Sequence, residues 1–160
     1  MTPMLVAAVV AITSALALYT AGVFGERRSG RLRLRHALLF WAGLACDTTG
    51  TLIMGNLAQA SGSGAGAHAV TGALAIALMA AHAVWAAVTL ARGSRDAMRR
   101  FHTFSTAVWL AWLVPYIIGL LVGIPAFHLR AVCAAGTSAI VVAVLALVLL
   151  RPRRGGRDAL

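Results

Sequence analysis

The sequence predicts an all-α, polytopic membrane protein of five transmembrane helices, with the N-terminus outside and the C-terminus cytoplasmic. Three observations carry that prediction. Apolar residues make up 61% of the 160-residue chain and charged residues 11%, against roughly 45–50% and 25% in a soluble domain. So little charge cannot solvate a compact surface. The apolar residues fall into five runs, each about 20 residues or longer, which is what a helix needs to cross a hydrocarbon core of about 30 Å. The cations, all of them arginine, stand in blocks between alternate runs.

The first run, roughly Met4–Phe24, has no basic residue before it and is soon followed by Arg27, Arg28, Arg31, Arg33 and Arg35. A secretory signal has the opposite polarity, so this run is expected to stay as an anchor. The second run, Ala37–Ala58, leads into Ser61–Ala67 (SGSGAGA), whose composition predicts a flexible outer loop. After the third run, Ala69–Ala91, come Arg92, Arg95, Arg99 and Arg100. The fourth, Thr103–Ile124, contains Pro115, Gly119 and Gly123, which predict a kink and close packing. The fifth, Ala131–Leu150, precedes Arg151, Arg153, Arg154 and Arg157. Thirteen of the 14 arginines therefore lie on one side and only Arg130 on the other, and the positive-inside rule makes the arginine side cytoplasmic. The chain reads as one transmembrane domain over residues 1–152 with an Arg-rich cytoplasmic tail over 153–160.

The same arrangement explains the net charge of +10. Arginines beside an anionic leaflet need no nucleic-acid partner. Cys46 and Cys133 sit at different depths, so a disulfide is not expected. A Gly-rich phosphate loop, a nucleophile elbow and an H-E-x-x-H helix are all absent, which favours a binding role over turnover of a substrate. The Arg-only, Ala-rich composition suggests a GC-rich bacterial genome.

The informative residues are the polar ones at membrane depth. These are Asp47, read as the only carboxylate inside a span, and the histidines His36, His68, His82 and His102; His128 reads as a headgroup anchor. Helical phase puts several on shared stripes. His36 and Asp47 are eleven residues apart, about 20° out of phase, with Phe40, Gly43, Gly50 and Met54 on the same progression. His68 and His82 are fourteen apart, about 40° out of phase, with Gly72, Ala75 and Met79 between them. His102, Thr106, Trp109 and Tyr116 share a face of the fourth span. Stripes of imidazole with small residues suit a heme lying between helices, the iron held by a neutral ring nitrogen. Heme b bound among spans two to four is therefore expected, with His82, His36 and His102 as candidate iron ligands in an undetermined pairing. Asp47 and His82 both fall near the midplane, where they could hydrogen-bond or share a proton.

Three segments carry a resemblance. RHALLFWAGLACDTTGTLIMG (Arg35–Gly55), HAVTGALAIALMAAHAVWA (His68–Ala86) and RFHTFSTAVWLAWLVPYIIG (Arg100–Gly119) resemble the HsmA family of small heme-sensing membrane proteins. Asp47–Gly50, the His68/His82 pair and Phe101–His102 are the most specific parts. The resemblance covers about half the chain and implies heme binding in the cytoplasmic membrane, for sensing heme or protecting against its excess, with His36, His68, His82 and His102 as ligand candidates. The layout is also similar to a domain-of-unknown-function family of multi-span proteins linked to cytochrome oxidase maturation. Two other readings stay open from the residues: a transmembrane electron-transfer cytochrome or reductase, and a proton-coupled transporter using Asp47 and His82. The expected partners are the bilayer and heme, with a homo-oligomer or a partner membrane protein as open assemblies.

Overall fold

A computed structural model describes residues 2–62, 67–93, 95–123 and 131–150. His128, Arg130, most of the Ser61–Ala67 loop and the 153–160 tail lie outside the described residues, as does the side chain of His68. Five α-helices follow one another: α1 (Pro3–Ser29), α2 (Leu34–Ala60), α3 (Ala67–Arg92), α4 (Arg95–Gly123) and α5 (Ala131–Leu149). Each contains a stretch long and apolar enough to cross a membrane, with mean hydropathy from 1.4 in α2 to 2.6 in α5. The chain is a multi-pass membrane protein in architecture.

Local chemistry sets the helix ends. Thr2 caps α1, its hydroxyl accepting from the Leu5 N–H at 3.4 Å, and Pro3 occupies the first turn, where its missing N–H is no loss. Gly30 ends the helix at φ 64°, a left-handed conformation that disfavours other residues. The helix thus runs five residues beyond the apolar stretch that ends at Phe24, and carries Glu26, Arg27 and Arg28 with it.

Helices α1 and α2 form a tight hairpin, and the contact depends on glycine. A methyl group on Gly43 would stand 2.6 Å from the Tyr19 ring, and one on Gly22 would overlap Phe40. Small residues let backbones approach in lipid, where dispersion takes over from the hydrophobic effect as the main attraction between helices. Helix α2 packs on α3, α3 on α4, and α4 returns to α1, closing a four-helix ring. Its interior is filled by Tyr19, Phe40, Met79, Phe101, Trp109 and Trp112. Helix α5 lies outside the ring against α4. Accordingly 39% of the α4 span is buried but only 11% of the α5 span. Outward-facing Leu38, Trp41, Leu74, Val132 and Ile140 supply an apolar surface suited to lipid.

Candidate functional site

The α2 stripe read from helical phase is buried as a unit: His36, Phe40, Gly43, Asp47 and Gly50 all face inward. The α4 stripe is likewise turned toward α1. Trp109 donates from Nε1 to the Thr20 hydroxyl at 3.2 Å and meets the Phe24 ring edge-on at 5.5 Å. Two turns closer to the Arg-rich end, His102 Nδ1 lies 3.0 Å from Oε1 of Glu26 on α1.

Glu26 corrects the sequence reading, in which Asp47 was the only carboxylate inside a span. Glu26 is 1% exposed, within the long apolar helix α1. Its burial follows from phase, because Ala8, Ala15, Tyr19 and Gly22 form the buried stripe of α1, and the next position on that stripe is Glu26. Adjacent Arg27 and Arg28 made the segment look like loop. Extending the stripe past Phe24 was the signal that could have found it.

The candidate ligands have different surroundings. His36 is buried beside Gly25, where an added methyl group would stand 3.3 Å from Nε2. The Arg33 N–H donates to its Nδ1 at 3.2 Å, and the Arg35 Nε lies 3.1 Å from Nε2. A neutral imidazole accepts at one nitrogen only, so the two approaches are alternatives. With Nδ1 as the acceptor, His36 closes the first turn of α2.

His82 is fully buried. Its ring lies 4.4 Å from Phe40 and stacks on Phe101 at 5.4 Å; Nε2 is 3.1 Å from the Ser105 hydroxyl, and Nδ1 has no hydrogen-bond partner. The contact expected between His82 and Asp47 does not form. On α2 the residue facing His82 is Phe40, seven positions and about 10 Å nearer the Arg-rich end than Asp47. Asp47 instead accepts from Trp112 Nε1 at 2.8 Å, with Tyr19 edge-on to the same indole at 5.0 Å.

His102 is the histidine that opens outward. Its side chain is 35% exposed, and with Phe24, Arg27 and Arg28 it lines a cavity of about 530 Å³ between α1 and α4. That volume lies in the range of small-molecule sites, roughly 300–1,000 Å³. The space among α2, α3 and α4, where a heme was expected, is taken by Phe40, Met79, His82 and Phe101.

The groove offers an imidazole and two guanidinium groups to an anionic ligand. A histidine that binds a metal commonly gives its other ring N–H to a carboxylate, which fixes the ring and raises its basicity. Glu26 stands in that relation to Nδ1 of His102, leaving Nε2 to bind. Phe24 offers an apolar wall, and two guanidinium groups offer partners for carboxylates. His36 and His82 do not present a ring nitrogen to this cavity. Among the described residues no three His, Cys, Asp or Glu side chains converge on one point as they would around a bare metal ion. Compared with known proteins, the chain matches no family model, no curated protein and no solved structure.

Proposed function

We propose that this chain is a b-type heme-binding protein of the cytoplasmic membrane, with its N-terminus outside and its Arg-rich end in the cytoplasm, serving heme sequestration or sensing. The observation that carries this reading is the Glu26–His102 pair at the mouth of a cavity flanked by Arg27 and Arg28. In it His102 is the iron ligand, and Glu26 holds the ring in one tautomer and orientation. Arg27 and Arg28 pair with the ligand's carboxylates, and Phe24 covers part of its apolar face. Heme, when bound, would supply an iron centre whose ligand field and oxidation state change its absorbance. His36 and His82 serve the fold, the first as a cap for α2 and the second as a wedge between Phe40 and Phe101. This reading moves the site from spans two to four to the α1–α4 interface, and it agrees with the heme association implied by the resemblance to the HsmA family.

The test is reconstitution of the purified chain with hemin in nanodiscs. A saturable Soret band that shifts on reduction with dithionite, and that His102→Ala removes, is the expected result. A colourless protein after reconstitution overturns the reading.

One observation favours a second reading. Glu26 Oε2 and His82 Nδ1 are buried without partners, and buried ionisable groups at membrane depth are the parts of a proton path. A proton-coupled transporter built on Glu26 would show a heme-independent proton flux in liposomes that Glu26→Gln abolishes.

A further inference from the structure

The two guanidinium groups of the α1–α4 groove have no acid to balance them. Among the described residues no carboxylate lies within ion-pair distance of Arg27 or Arg28. The nearest in sequence, Glu26, is turned into the bundle and bonded to Nδ1 of His102. Successive residues on a helix point about 100° apart, yet Arg27 and Arg28 both line this one hollow. Arg27 is also held in place: its Nη2 donates to the backbone carbonyl of Leu149 at 2.6 Å. A guanidinium carries five N–H donors, so the remaining ones stay available for an anion.

The same hydrogen bond sets the depth of the groove. Leu149 is the last residue of α5, which holds the most apolar of the five spans. Arg27 therefore stands level with the end of the hydrocarbon layer. On α1, Phe24 lies one turn nearer the membrane centre, where its ring meets Trp109 edge-on. From Phe24 to Arg28 the wall changes from aromatic to cationic over about 6 Å. A phospholipid makes the same change at this level, from its chains through glycerol to phosphate.

We propose that the α1–α4 groove is a site for one anionic phospholipid, its phosphate held by Arg27 and Arg28 and its glycerol end against Phe24. Guanidinium groups bind phosphate through paired N–H bonds, and basic pockets between transmembrane helices take such headgroups. The volume of about 530 Å³ exceeds that of a bare phosphate and leaves room for glycerol. A zwitterionic lipid would bring its own ammonium to a wall that is already cationic. Free phosphate offers the same anion but nothing for Phe24, and it must first leave water. The inference goes beyond the heme reading and does not rest on it, because it needs the two cations and no iron.

Binding of radiolabelled dioleoyl phosphatidylglycerol to the full chain in detergent micelles tests this, with dioleoyl phosphatidylcholine as the comparison. The anionic lipid is expected to saturate near one per chain and to bind about tenfold tighter or more, since each cation near an anionic headgroup is worth about fivefold. Arg27→Gln with Arg28→Gln should abolish that preference. Arg28→Gln alone leaves the Arg27–Leu149 bond in place and should cost about fivefold. Arg31→Gln with Arg33→Gln removes the same charge outside the groove and should change little. Equal binding of the two lipids overturns the proposal, as does an equal loss in both double variants, which would make the attraction a diffuse one. Displacement of the lipid by millimolar inorganic phosphate overturns the lipid as occupant; no displacement is expected. No hemin enters these measurements, so their failure leaves the heme reading to its own reconstitution.

Discussion

Replacing Glu26 by Gln separates the two things its carboxylate does. Oε1 lies 3.0 Å from His102 Nδ1, and the residue is 1% exposed, so salt screens the interaction little. Removing the carboxylate behind a metal-binding histidine costs about 10- to 100-fold in affinity, which is about 1.4–2.7 kcal/mol. Glutamine keeps an oxygen for the Nδ1–H and loses only the charge, so Glu26→Gln belongs at the lower end, about tenfold. Glu26→Ala loses the acceptor as well and belongs near 100-fold. Stability should move differently. Oε2 is buried without a partner, and Gln keeps the acceptor for Nδ1–H while removing the desolvation cost of a buried charge. Hemin titration followed at the Soret band in nanodiscs gives the affinity, and thermal unfolding by circular dichroism gives the stability. Tenfold weaker binding at an equal or higher Tm is the expected signature. An affinity within about threefold of the parent, with His102→Ala still abolishing binding, would refute the orienting role of Glu26.

Four further outcomes follow from the packing. His82→Leu replaces an enclosed imidazole by an apolar side chain, and Ser105 can turn its hydroxyl to a carbonyl of its own helix; hemin affinity should stay within about threefold, and a lost Soret band would return His82 to the ligand set. Gly43→Ala places a methyl group 2.6 Å from the Tyr19 ring and should destabilise the α1–α2 hairpin by about 1–3 kcal/mol. Gly55→Ala meets nothing within 4 Å and should leave Tm unchanged or raised. Trp112→Phe removes the donor to buried Asp47 Oδ2 and should cost about 1–3 kcal/mol, a loss that Asp47→Asn in the same variant should partly recover if the unpaired charge is its source.

The architecture was legible because apolar length and arginine placement are properties of each segment taken alone. Five runs became five helices, and the α2 stripe was buried from His36 to Gly50 as phase required, whereas on α4 Thr106 and Trp109 were buried and His102 and Tyr116 only partly. The site was less legible because it depends on which helix meets which. Phase puts His82 and Asp47 on inward faces, but only the packed depths show that Phe40, not Asp47, lies level with His82. Glu26 escaped for a related reason. A hydropathy run stops at the first cluster of charge, whereas a helix continues until its cap, here Gly30, so a residue can sit past the apolar stretch and still within the buried stripe. His36 shows the converse: a histidine on a ligand-friendly face whose ring lies against the Arg33 N–H and the Arg35 guanidinium of its own helix start.

The polar contacts also explain why α4 is the most enclosed helix. Among the described residues, α1 reaches it through Glu26–His102 and Thr20–Trp109, α2 through Asp47–Trp112, α3 through His82–Ser105 and α5 through Ser138. Each of the other four helices thus has a side-chain hydrogen bond to α4, at depths that run from the Arg-rich end toward the middle of the bundle. Where dispersion alone joins apolar helices, such bonds choose the neighbours and fix the register. A ligand held by His102 is consequently attached to the one helix to which all the others are tied. Among the described residues, Arg27 adds a hydrogen bond that links α1 to α5 directly.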